Sequence, residues 1–439
     1  MDALHQAIEY TARTHTPSFT VPNLAEHFVN RPKEFDLLIS HLLDSDRQNP
    51  VAITTALQGG GGFGKTTLAI ALCHDENVRV AFDDGMLWIQ FRENMTPNDG
   101  LALLNQQIQL LKPNDNFYSE ITTAAARFRD LLKDRDILLV LDDVWQESYL
   151  RHFIHDGTAY LITTRLQSVV TRASAEKVLV DDMTSEEAAA LLAKWLDEAP
   201  TDDERDLLLD LAKRLGEWAL LLELVGAELH SLIDGGRSLT ESVKYVVRRF
   251  ERRGMTYLDR KDENNRNLAI TISLDASVSR LKADWQMRFY EIGIFPEDTD
   301  IPFDTIGQLW QETAQYDDLD SEDALEAISR LSLFTRYDAR LRTVRLHDVI
   351  RQVIMGRLDD VTAIHSQLIV AWRDLTRLPD TYAWENIAYH LEHAAKLETL
   401  RDLLLNFDFL RNKLNATHPN ALINDCDITL NRCNLHSQI

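Results

Sequence analysis

Residues 59–67 read GGGGFGKTT and directly follow the apolar run at residues 51–57, VAITTAL. The stretch fits the pattern G-x-x-x-x-G-K-[ST] of a phosphate-binding loop, or P-loop. Glycine lets such a loop wrap closely around a polyphosphate, because it adopts positive φ angles without steric cost. The loop's N–H groups and the positive end of the following helix then face the phosphate oxygens. A strand before the loop and a helix after it favour a nucleotide site over a glycine-rich turn.

Each residue of the loop has an expected role. Lys65 is expected to reach the β- and γ-phosphates, and Thr66 to place its hydroxyl on Mg²⁺. We therefore expect ATP or ADP with Mg²⁺ as the cofactor. The cofactor-binding residues predicted in this loop are Gly61, Gly62, Phe63, Gly64, Lys65, Thr66 and Thr67.

The composition is that of an ordinary folded protein, with 439 residues, 45% hydrophobic and 26% charged. The net charge of −24 repels nucleic acid at long range, so DNA is not an expected partner. Only three cysteines are present, which favours a reducing cytoplasm over a disulfide framework. A metal site of Cys426, Cys433 and His436 is a weak alternative, because their spacing fits no common zinc pattern. The sequence offers no signal peptide and no apolar run long enough to cross a bilayer, so no membrane is expected.

Apolar strands alternate with amphipathic helices over residues 26–181. This alternation predicts an α/β P-loop NTPase domain, with a parallel sheet and helices on both faces. Residues 1–25 are expected to form a helical arm and a connector. The strand candidates are nearly continuous apolar runs, as expected for buried parallel strands: residues 51–57, 86–91, 137–141 and 159–163.

The remainder of the chain is mainly helical in pattern. We predict a small helical domain at 182–262, which begins with a capping box of Thr184 and Glu187. Helices followed by a hairpin at 333–346 indicate a winged-helix domain at 263–360. A second helical domain is predicted at 361–439, frayed or incomplete over its weakly periodic last residues, 416–439.

Two more strand ends carry candidate catalytic residues. In DILLVLDD (residues 136–143) Asp142 ends an apolar strand, and with the P-loop it is expected to hold Mg²⁺ through water. Asp143 stands where fast ATPases carry glutamate, so it is either a base or a structural acceptor. Arg165 follows another strand and either senses the γ-phosphate or forms a surface salt bridge. The predicted catalytic residues are Lys65, Asp142, Asp143 and Arg165, and the predicted Mg²⁺ ligands are Thr66 and Asp142.

These motifs, in this order, resemble the NB-ARC branch of the STAND signal-transduction ATPases. That branch includes the apoptotic protease-activating factor, plant disease-resistance proteins and bacterial regulators. The resemblance covers residues 26–415 and rests on FVNR (28–31), the P-loop, LWIQ (87–90), LVLDDVW (139–145), TTR (163–165), FPED (295–298) and LHD (346–348). It implies that Val29 and Arg31 border the base, and that His347 touches the β-phosphate of ADP. Residues 389–393, YHLEH, resemble a helical domain that often precedes a sensor.

The chain departs from the family at the segment Gly-Leu-Pro-Leu-Ala, which reads EWALL at residues 217–221. Ala219 replaces the proline that packs on the adenine or ribose, with Leu220 beside it. The smaller side chain implies nucleotide binding weaker by about 1 kcal/mol, unless Trp218 packs nearby. Leu346 replaces the usual methionine, a swap that conserves volume.

Two side-chain groups allow alternative interpretations. The arginines at 248, 249, 252 and 253 are interpreted as a solvated or interdomain face rather than an anion-binding surface. His390 and His393 are interpreted as packing residues of a helical repeat rather than metal ligands.

The resemblance implies a slow regulatory ATPase that acts as a switch in bacterial signalling or defence. It is closed with ADP and self-associates on exchange for ATP to activate an effector. The N-terminal effector and C-terminal sensor modules are expected as partners outside this chain. One alternative is a transcription regulator that reads DNA, although its predicted recognition segment, residues 323–330, is poor in cations. Another is an AAA+ motor, which Asp143 in place of glutamate disfavours.

Overall fold

The computed structural model describes residues 18–25, 27–43, 51–54, 61–93, 95–155, 157–259, 261–297, 299–417 and 419–436. The chain divides into two compact units. Unit 1 comprises Met1–Gly60 and Gly64–Asp181, and unit 2 comprises Gly61–Phe63 and Asp182–Ile439. The chain therefore leaves unit 1 and returns to it within the P-loop.

In the described part of unit 1, six strands form a parallel sheet in the order β1-β3-β4-β5-β2-β6. The strands are β1 (Ser18–Phe19), β2 (Val51–Thr54), β3 (Gly85–Gln90), β4 (Ile137–Asp142), β5 (Ala159–Thr163) and β6 (Glu176–Leu179). The helices are α1 (Pro32–Leu42), α2 (Lys65–Cys73), α3 (Glu76–Ala81), α4 (Pro97–Leu111), α5 (Ile121–Leu132), α6 (Glu147–Phe153) and α7 (Gln167–Ala173).

Helices cover both faces of this sheet. Every residue of β4 is buried, because its alternate side chains enter different cores. One core joins Leu138 and Val140 to α1, α2 and α3. The other joins Leu139 and Leu141 to α4, α5, α6 and α7. The predicted α/β class, with helices on both faces of a parallel sheet, is confirmed.

Two strands correct the sequence prediction. Ser18–Phe19 pairs with Gly85 and Met86 of β3, where a helical arm and connector are predicted. Glu176–Leu179 pairs with β2 at the sheet edge and buries only Val178, so it lacks the continuous apolar run of a central strand. Residues 1–17 and 55–60 lie outside the described residues.

Unit 2 is mostly helical. Its helices are α8 (Ser185–Ala193), α9 (Asp202–Arg214), α10 (Ala219–Asp234), α11 (Leu239–Arg252), α12 (Glu263–Val278), α13 (Ala283–Glu291), α14 (Phe303–Ala314), α15 (Asp318–Ser329), α16 (Asp348–Met355), α17 (Val361–Ala371), α18 (Thr381–His393), α19 (Leu397–Leu404), α20 (Phe407–Ala416) and α21 (Pro419–His436). A 3₁₀ turn spans Ile292–Ile294, and the strands are β7 (Ile301–Pro302), β8 (Arg336–Asp338) and β9 (Thr343–Arg345).

The predicted capping box starts α8. Glu187 accepts the backbone N–H of Thr184 at 2.9 Å, and the Thr184 hydroxyl accepts the N–H of Glu187 at 3.2 Å. These two bonds satisfy backbone donors that have no partner inside the helix.

Helix α10 packs closely among its neighbours. A Cβ added at Gly226 would lie 2.2 Å from Trp195 Cδ1, so only glycine permits this approach. The buried carboxylate of Glu228 pairs with Arg249 of α11 and lies 3.8 Å from Arg280. Arg249 therefore faces α10, while the remaining arginines of the predicted cluster are exposed.

The predicted hairpin is formed by β8 and β9, and β7 joins it in an antiparallel sheet of order β7-β9-β8. Helices followed by such a sheet are the elements of a winged helix, and that assignment and the four domain boundaries stay predictions. One helix corrects the prediction: α21 occupies Pro419–His436, within the segment expected to be frayed or incomplete. Among the described residues, no helix is both long and apolar enough to cross a membrane.

Candidate nucleotide-binding site

The carboxyl ends of β4, β5 and β2 lie side by side at one edge of the sheet in unit 1. Asp142 ends β4, and its Oδ1 accepts hydrogen bonds from Thr163 Oγ1 at 2.6 Å and from Thr66 Oγ1 at 2.9 Å. Thr163 ends β5, and Thr66 lies in the first turn of α2. The structure therefore brings together Thr66 and Asp142, the two predicted Mg²⁺ ligands.

The donor set at this edge fits a magnesium ion. Mg²⁺ prefers oxygen ligands and is usually bound by one or two protein groups together with substrate phosphates. The Asp142 carboxylate is buried, whereas Thr66 is exposed on the side of the P-loop helix. A hydroxyl and a carboxylate 2.9 Å apart supply that chemistry.

Helix α2 begins directly after the phosphate loop. Gly64 is its N-cap with a φ of 84°, a left-handed conformation that glycine adopts without strain. Lys65 is the first helical residue, only 7% exposed, and Thr67 follows in the same turn. The first N–H groups of α2 have no partner inside the helix, and they form the positive end of its dipole.

Asp143 is held by its neighbours in unit 1. Its backbone has a φ of 52°, and its N–H donates to Thr163 Oγ1 at 2.8 Å. Trp145 Nε1 donates to Asp143 Oδ2 at 2.7 Å, and Arg165 Nε lies 3.5 Å from Oδ1. The Arg165 guanidinium also lies 4.9 Å from the Trp145 ring centroid. Arg165 thus lies at ion-pair distance from Asp143, and Asp143 accepts a hydrogen bond from Trp145. The catalytic roles of both residues stay predictions.

The predicted base-contacting residues lie at the start of α1. Arg31 is buried, and both of its terminal nitrogens donate to the carbonyl of Asp181, at 3.3 and 3.4 Å. Val29 is partly exposed in the segment before this helix. Their contact with a base stays a prediction.

In unit 2, the start of α10 contacts the middle of the P-loop. Trp218 Nε1 donates to the carbonyl of Gly61 at 3.0 Å, and the backbone N–H of Leu220 donates to the carbonyl of Gly62 at 3.0 Å. The rings of Trp218 and Phe63 lie 6.2 Å apart. Ala219 lies between the two donors as the first residue of α10. The predicted residues Gly61, Gly62, Phe63, Ala219 and Leu220 therefore form one group.

His347 caps α16 in the same unit. Its Nδ1 accepts the backbone N–H of Val349 at 3.2 Å and lies 2.5 Å from Asp348 Oδ1. Glu223 lies one turn after Ala219 in α10. Burial raises the pKa of Glu223, and the charge of His347 partly offsets that rise. His347 is therefore electrostatically coupled to the first half of α10.

The predicted site residues fall into two groups that follow the two units. Unit 1 holds Val29, Arg31, Gly64, Lys65, Thr66, Thr67, Asp142, Asp143 and Arg165, and unit 2 holds Gly61, Gly62, Phe63, Ala219, Leu220 and His347. Sequence analysis gave no role to the hydroxyl of Thr163 or the carboxylate of Glu223, and it considered Trp218 only for packing and not as a hydrogen-bond donor. Thr163 lies within the TTR motif, so a signal for it was present, whereas no local pattern marks Glu223.

Two other titratable side chains, those of Cys73 and His390, are buried. Burial, with the charge of Asp142 beside it, raises the pKa of the Cys73 thiol in α2 to about 12, so this cysteine stays protonated. His390 is buried and bonds to His365 Nδ1 and the Tyr382 hydroxyl, each at 2.9 Å, which agrees with a packing role. The weak metal alternative depends on the side chains of residues 433 and 436, which lie outside the described ones.

Comparison with known families agrees with this geometry. The NB-ARC domain family matches residues 31–201, and the APAF-1 helical domain family matches residues 361–433. This chain is therefore similar to the NB-ARC family over residues 31–201. The first match contains the P-loop, Asp142 and Arg165, and the second covers helices α17 to α20 and most of α21.

This chain has relatives in a bacterium and in an animal. It is 27% identical to the regulatory protein AfsR of Streptomyces coelicolor over 80% of this chain and 34% of that protein. It is 24% identical to apoptotic protease-activating factor 1 of Danio rerio over 92% of this chain and 32% of that protein. The chain thus spans about a third of the length of these two relatives.

A solved structure has a similar fold. It is a STAND protein with a tetratricopeptide repeat sensor from Pyrococcus horikoshii, with a TM-score of 0.55 and 14% identity. The match covers 94% of this chain and 58% of that one. At this identity the similarity concerns the fold.

Proposed function

We propose that this chain is the nucleotide-controlled core of a signalling switch. It holds ADP in a closed resting state, and it self-associates when ATP replaces ADP. The match of residues 31–201 to the NB-ARC domain family and the P-loop support nucleotide binding. The relatives named for protease activation and for regulation support a signalling role.

The observation that carries this proposal is the contact between the P-loop and the start of α10 within unit 2. Gly61 and Gly62 are hydrogen-bonded to the start of α10, whereas Lys65 and Thr66 begin α2. The backbone that would bind phosphate is therefore also held by α10. We infer that a change from ADP to ATP acts on this helix through the loop.

The residues of unit 1 suit phosphate binding and slow hydrolysis. Thr66 and Asp142 would hold Mg²⁺, which neutralises charge on the phosphates when bound. Lys65 would contact the β- and γ-phosphates. Asp143 is engaged by Trp145 and Arg165, so it is poorly available as a base for attacking water. We infer that hydrolysis is slow and resets the switch.

Two residues would distinguish the nucleotides. We assign to His347 a contact with the β-phosphate of ADP through Nε2, because Nδ1 already accepts the N–H of Val349 and lies beside Asp348. Arg165 would turn from Asp143 to the γ-phosphate of ATP. Binding of ATP would then break the ion pair between Arg165 and Asp143 that is present in the resting state.

The switch needs more than a small preference for one state. Moving an equilibrium from almost entirely closed to almost entirely open requires differential binding of about 5.5 kcal/mol. We therefore propose that a sensor module supplies a second input and that an effector module receives the output. Bacterial signalling or defence in the cytoplasm is the setting that we propose.

Substitution of His347 tests the proposal. Loss of a hydrogen bond to a charged phosphate costs about 1.5–3 kcal/mol, so His347→Ala should release ADP at least tenfold faster. Stopped-flow release of a fluorescent ADP measures this rate, and light scattering with ADP or ATP measures assembly. We expect wild type to be monomeric with ADP and larger with ATP, and the variant to assemble more readily.

A matched control is His230→Ala, at the far end of α10, which should behave as wild type. The proposal is wrong if His347→Ala retains ADP as tightly as wild type and stays monomeric with ATP.

The two alternative functions receive less support. The predicted recognition segment lies in α15, where Arg330 pairs with Glu326 at 2.6 Å and the first turn carries Asp318 and Asp320. Such a helix is poorly suited to DNA phosphates. The contacts of Asp143 likewise disfavour a motor with rapid turnover.

A further inference from the structure

The indole of Trp218 occupies a position that the sequence could not define. Trp218 is 2% exposed, and its Nε1 donates to the carbonyl of Gly61 at 3.0 Å. The residue before it is also fixed: the Glu217 carbonyl accepts the N–H of Met183 at 3.2 Å, and the Glu217 carboxylate accepts the Ser185 hydroxyl at 2.5 Å. Trp218 is thus a rigid donor to the P-loop.

A second bond from the same helix continues this contact. The N–H of Leu220 donates to the carbonyl of Gly62 at 3.0 Å. Gly62 has a φ of 76°, and a Cβ added to it would lie 2.6 Å from Leu220 Cβ and 3.2 Å from Trp218 Nε1. The start of α10 therefore approaches the loop so closely that only glycine fits there.

The two bonds determine which way the loop's amides point. A peptide bond is planar and trans, so the C=O of one residue and the N–H of the next point in opposite directions. With the carbonyls of Gly61 and Gly62 bound by α10, the N–H groups of Gly62 and Phe63 point away from it. Consecutive N–H groups directed to one side form the concave anion site of a phosphate loop.

We infer that Trp218 is a positioning residue for the nucleotide phosphates. Its indole N–H holds the Gly61 carbonyl, and this contact keeps the Gly62 amide turned toward the β-phosphate. The inference rests on the proposed nucleotide binding. It adds Trp218 to the residues that determine the affinity for nucleotide.

Trp310 provides a matched comparison within the same unit. It is 0% exposed in α14, and within the described residues its Nε1 has no hydrogen-bond partner. Exchange of either tryptophan for phenylalanine removes a similar volume from a buried site. Only Trp218→Phe removes a hydrogen bond to the P-loop.

The test compares wild type, Trp218→Phe and Trp310→Phe for binding of ADP and AMP by competition with a fluorescent ADP. We expect Trp218→Phe to bind ADP about tenfold more weakly, because the buried Gly61 carbonyl loses its donor. Since AMP lacks the β-phosphate, its affinity should change little, so the preference for ADP over AMP falls. Trp310→Phe should leave that preference unchanged, and thermal unfolding without nucleotide should show both variants folded.

Fluorescence gives a second readout. The indole of Trp218 contacts the loop, so ADP should change the emission of wild type and of Trp310→Phe but much less that of Trp218→Phe. The inference is overturned if a folded Trp218→Phe keeps the wild-type preference for ADP, or if Trp310→Phe loses it equally. Normal ADP binding without ATP-driven assembly would refute the switch and leave the role of Trp218 intact. A wild-type chain that binds no nucleotide would overturn both.

Discussion

At the scale of residues, two adjacent carboxylates at the end of β4 have different surroundings. Asp142 accepts the hydroxyls of Thr66 and Thr163 on one oxygen. Asp143 accepts the Trp145 indole on one oxygen and lies against Arg165 with the other. The first arrangement suits a magnesium ligand in the P-loop, and the second suits a structural acceptor.

This difference predicts separate effects for the two asparagine variants. Asparagine tolerates the positive φ of residue 143, so Asp143→Asn should keep the backbone and lose only the charge. We expect it to cost about 1–2 kcal/mol of unfolding free energy and to slow hydrolysis less than tenfold. Asp142→Asn should slow hydrolysis at least a hundredfold.

Urea unfolding and steady-state hydrolysis at saturating Mg-ATP measure these effects. A loss of hydrolysis in Asp143→Asn as large as that in Asp142→Asn would identify Asp143 as the base.

The residue scale also explains what the sequence could predict of the site. The P-loop and the strand that ends at Asp142 are local patterns, readable within a few residues. Trp218 and Gly61 are 157 residues apart, and their contact depends on the fold of unit 2. A contact at that separation leaves no periodic signal in the chain.

At the scale of elements, helix α10 connects several parts of unit 2. Its first turn holds the carbonyl of Gly62, its second turn carries Glu223 coupled to His347, and its third carries Glu228 bound to Arg249. Helix α10 therefore contacts the phosphate loop at its start and is electrostatically coupled to His347, the N-cap residue of α16.

Helices α17 and α18 contain a pair of buried histidines, and this pair predicts a pH dependence. Burial, then the charges of His393 and Arg351, lower the pKa of His365 from 6.5 to about 3. Burial, followed by His365 and His393, lowers the pKa of His390 well below 6.5. Both histidines are thus neutral in the native state near neutral pH.

The unfolded chain binds protons at these histidines as the pH falls through 6.5, whereas the native state does not until much lower pH. The contribution of the two histidines to the free energy of unfolding is therefore complete above pH 6.5. It is lost on acidification, by up to about 2.7 kcal/mol per pH unit. Urea unfolding between pH 7.5 and 5 measures this slope. His365→Gln should reduce it by up to about half. His230→Gln serves as the control at a partly exposed histidine. An unchanged slope in His365→Gln would contradict this explanation.

Elements differ in how well the sequence predicts them. β4 is a run of apolar residues buried on both faces, and its position was predicted within one residue. β6 lies at the edge of the sheet, and of its four residues only Val178 is buried. A strand this short shows no clear alternation of polar and apolar residues. The polar helix α21 lacks a strong apolar stripe, so neighbouring helices rather than its own pattern determine it. Its Asp425 pairs with the buried Lys413 of α20, a tertiary contact that no local pattern predicts.

At the scale of the whole molecule, both compact units contain residues of the P-loop. ADP at a hundred times its dissociation constant should stabilise the native state by about 2.7 kcal/mol. Because α2 begins in the P-loop and the start of α10 donates to two of its carbonyls, we expect ADP to slow hydrogen exchange in both helices. Calorimetry and hydrogen exchange with and without ADP measure this effect.

Lys65→Ala is the control, since it should fold but lose most of the stabilisation by ADP. Protection confined to unit 1 would contradict coupling through the loop.

The bonds from α10 to the loop also matter when fragments of the protein are produced. A fragment that stops at residue 201, where the NB-ARC match ends, keeps every letter of GGGGFGKTT but omits Trp218 and Leu220. The carbonyls of Gly61 and Gly62 would then turn to solvent, and the loop would be free to adopt other shapes. Inhibitors screened on such a fragment would be selected against a pocket that the longer chain does not present.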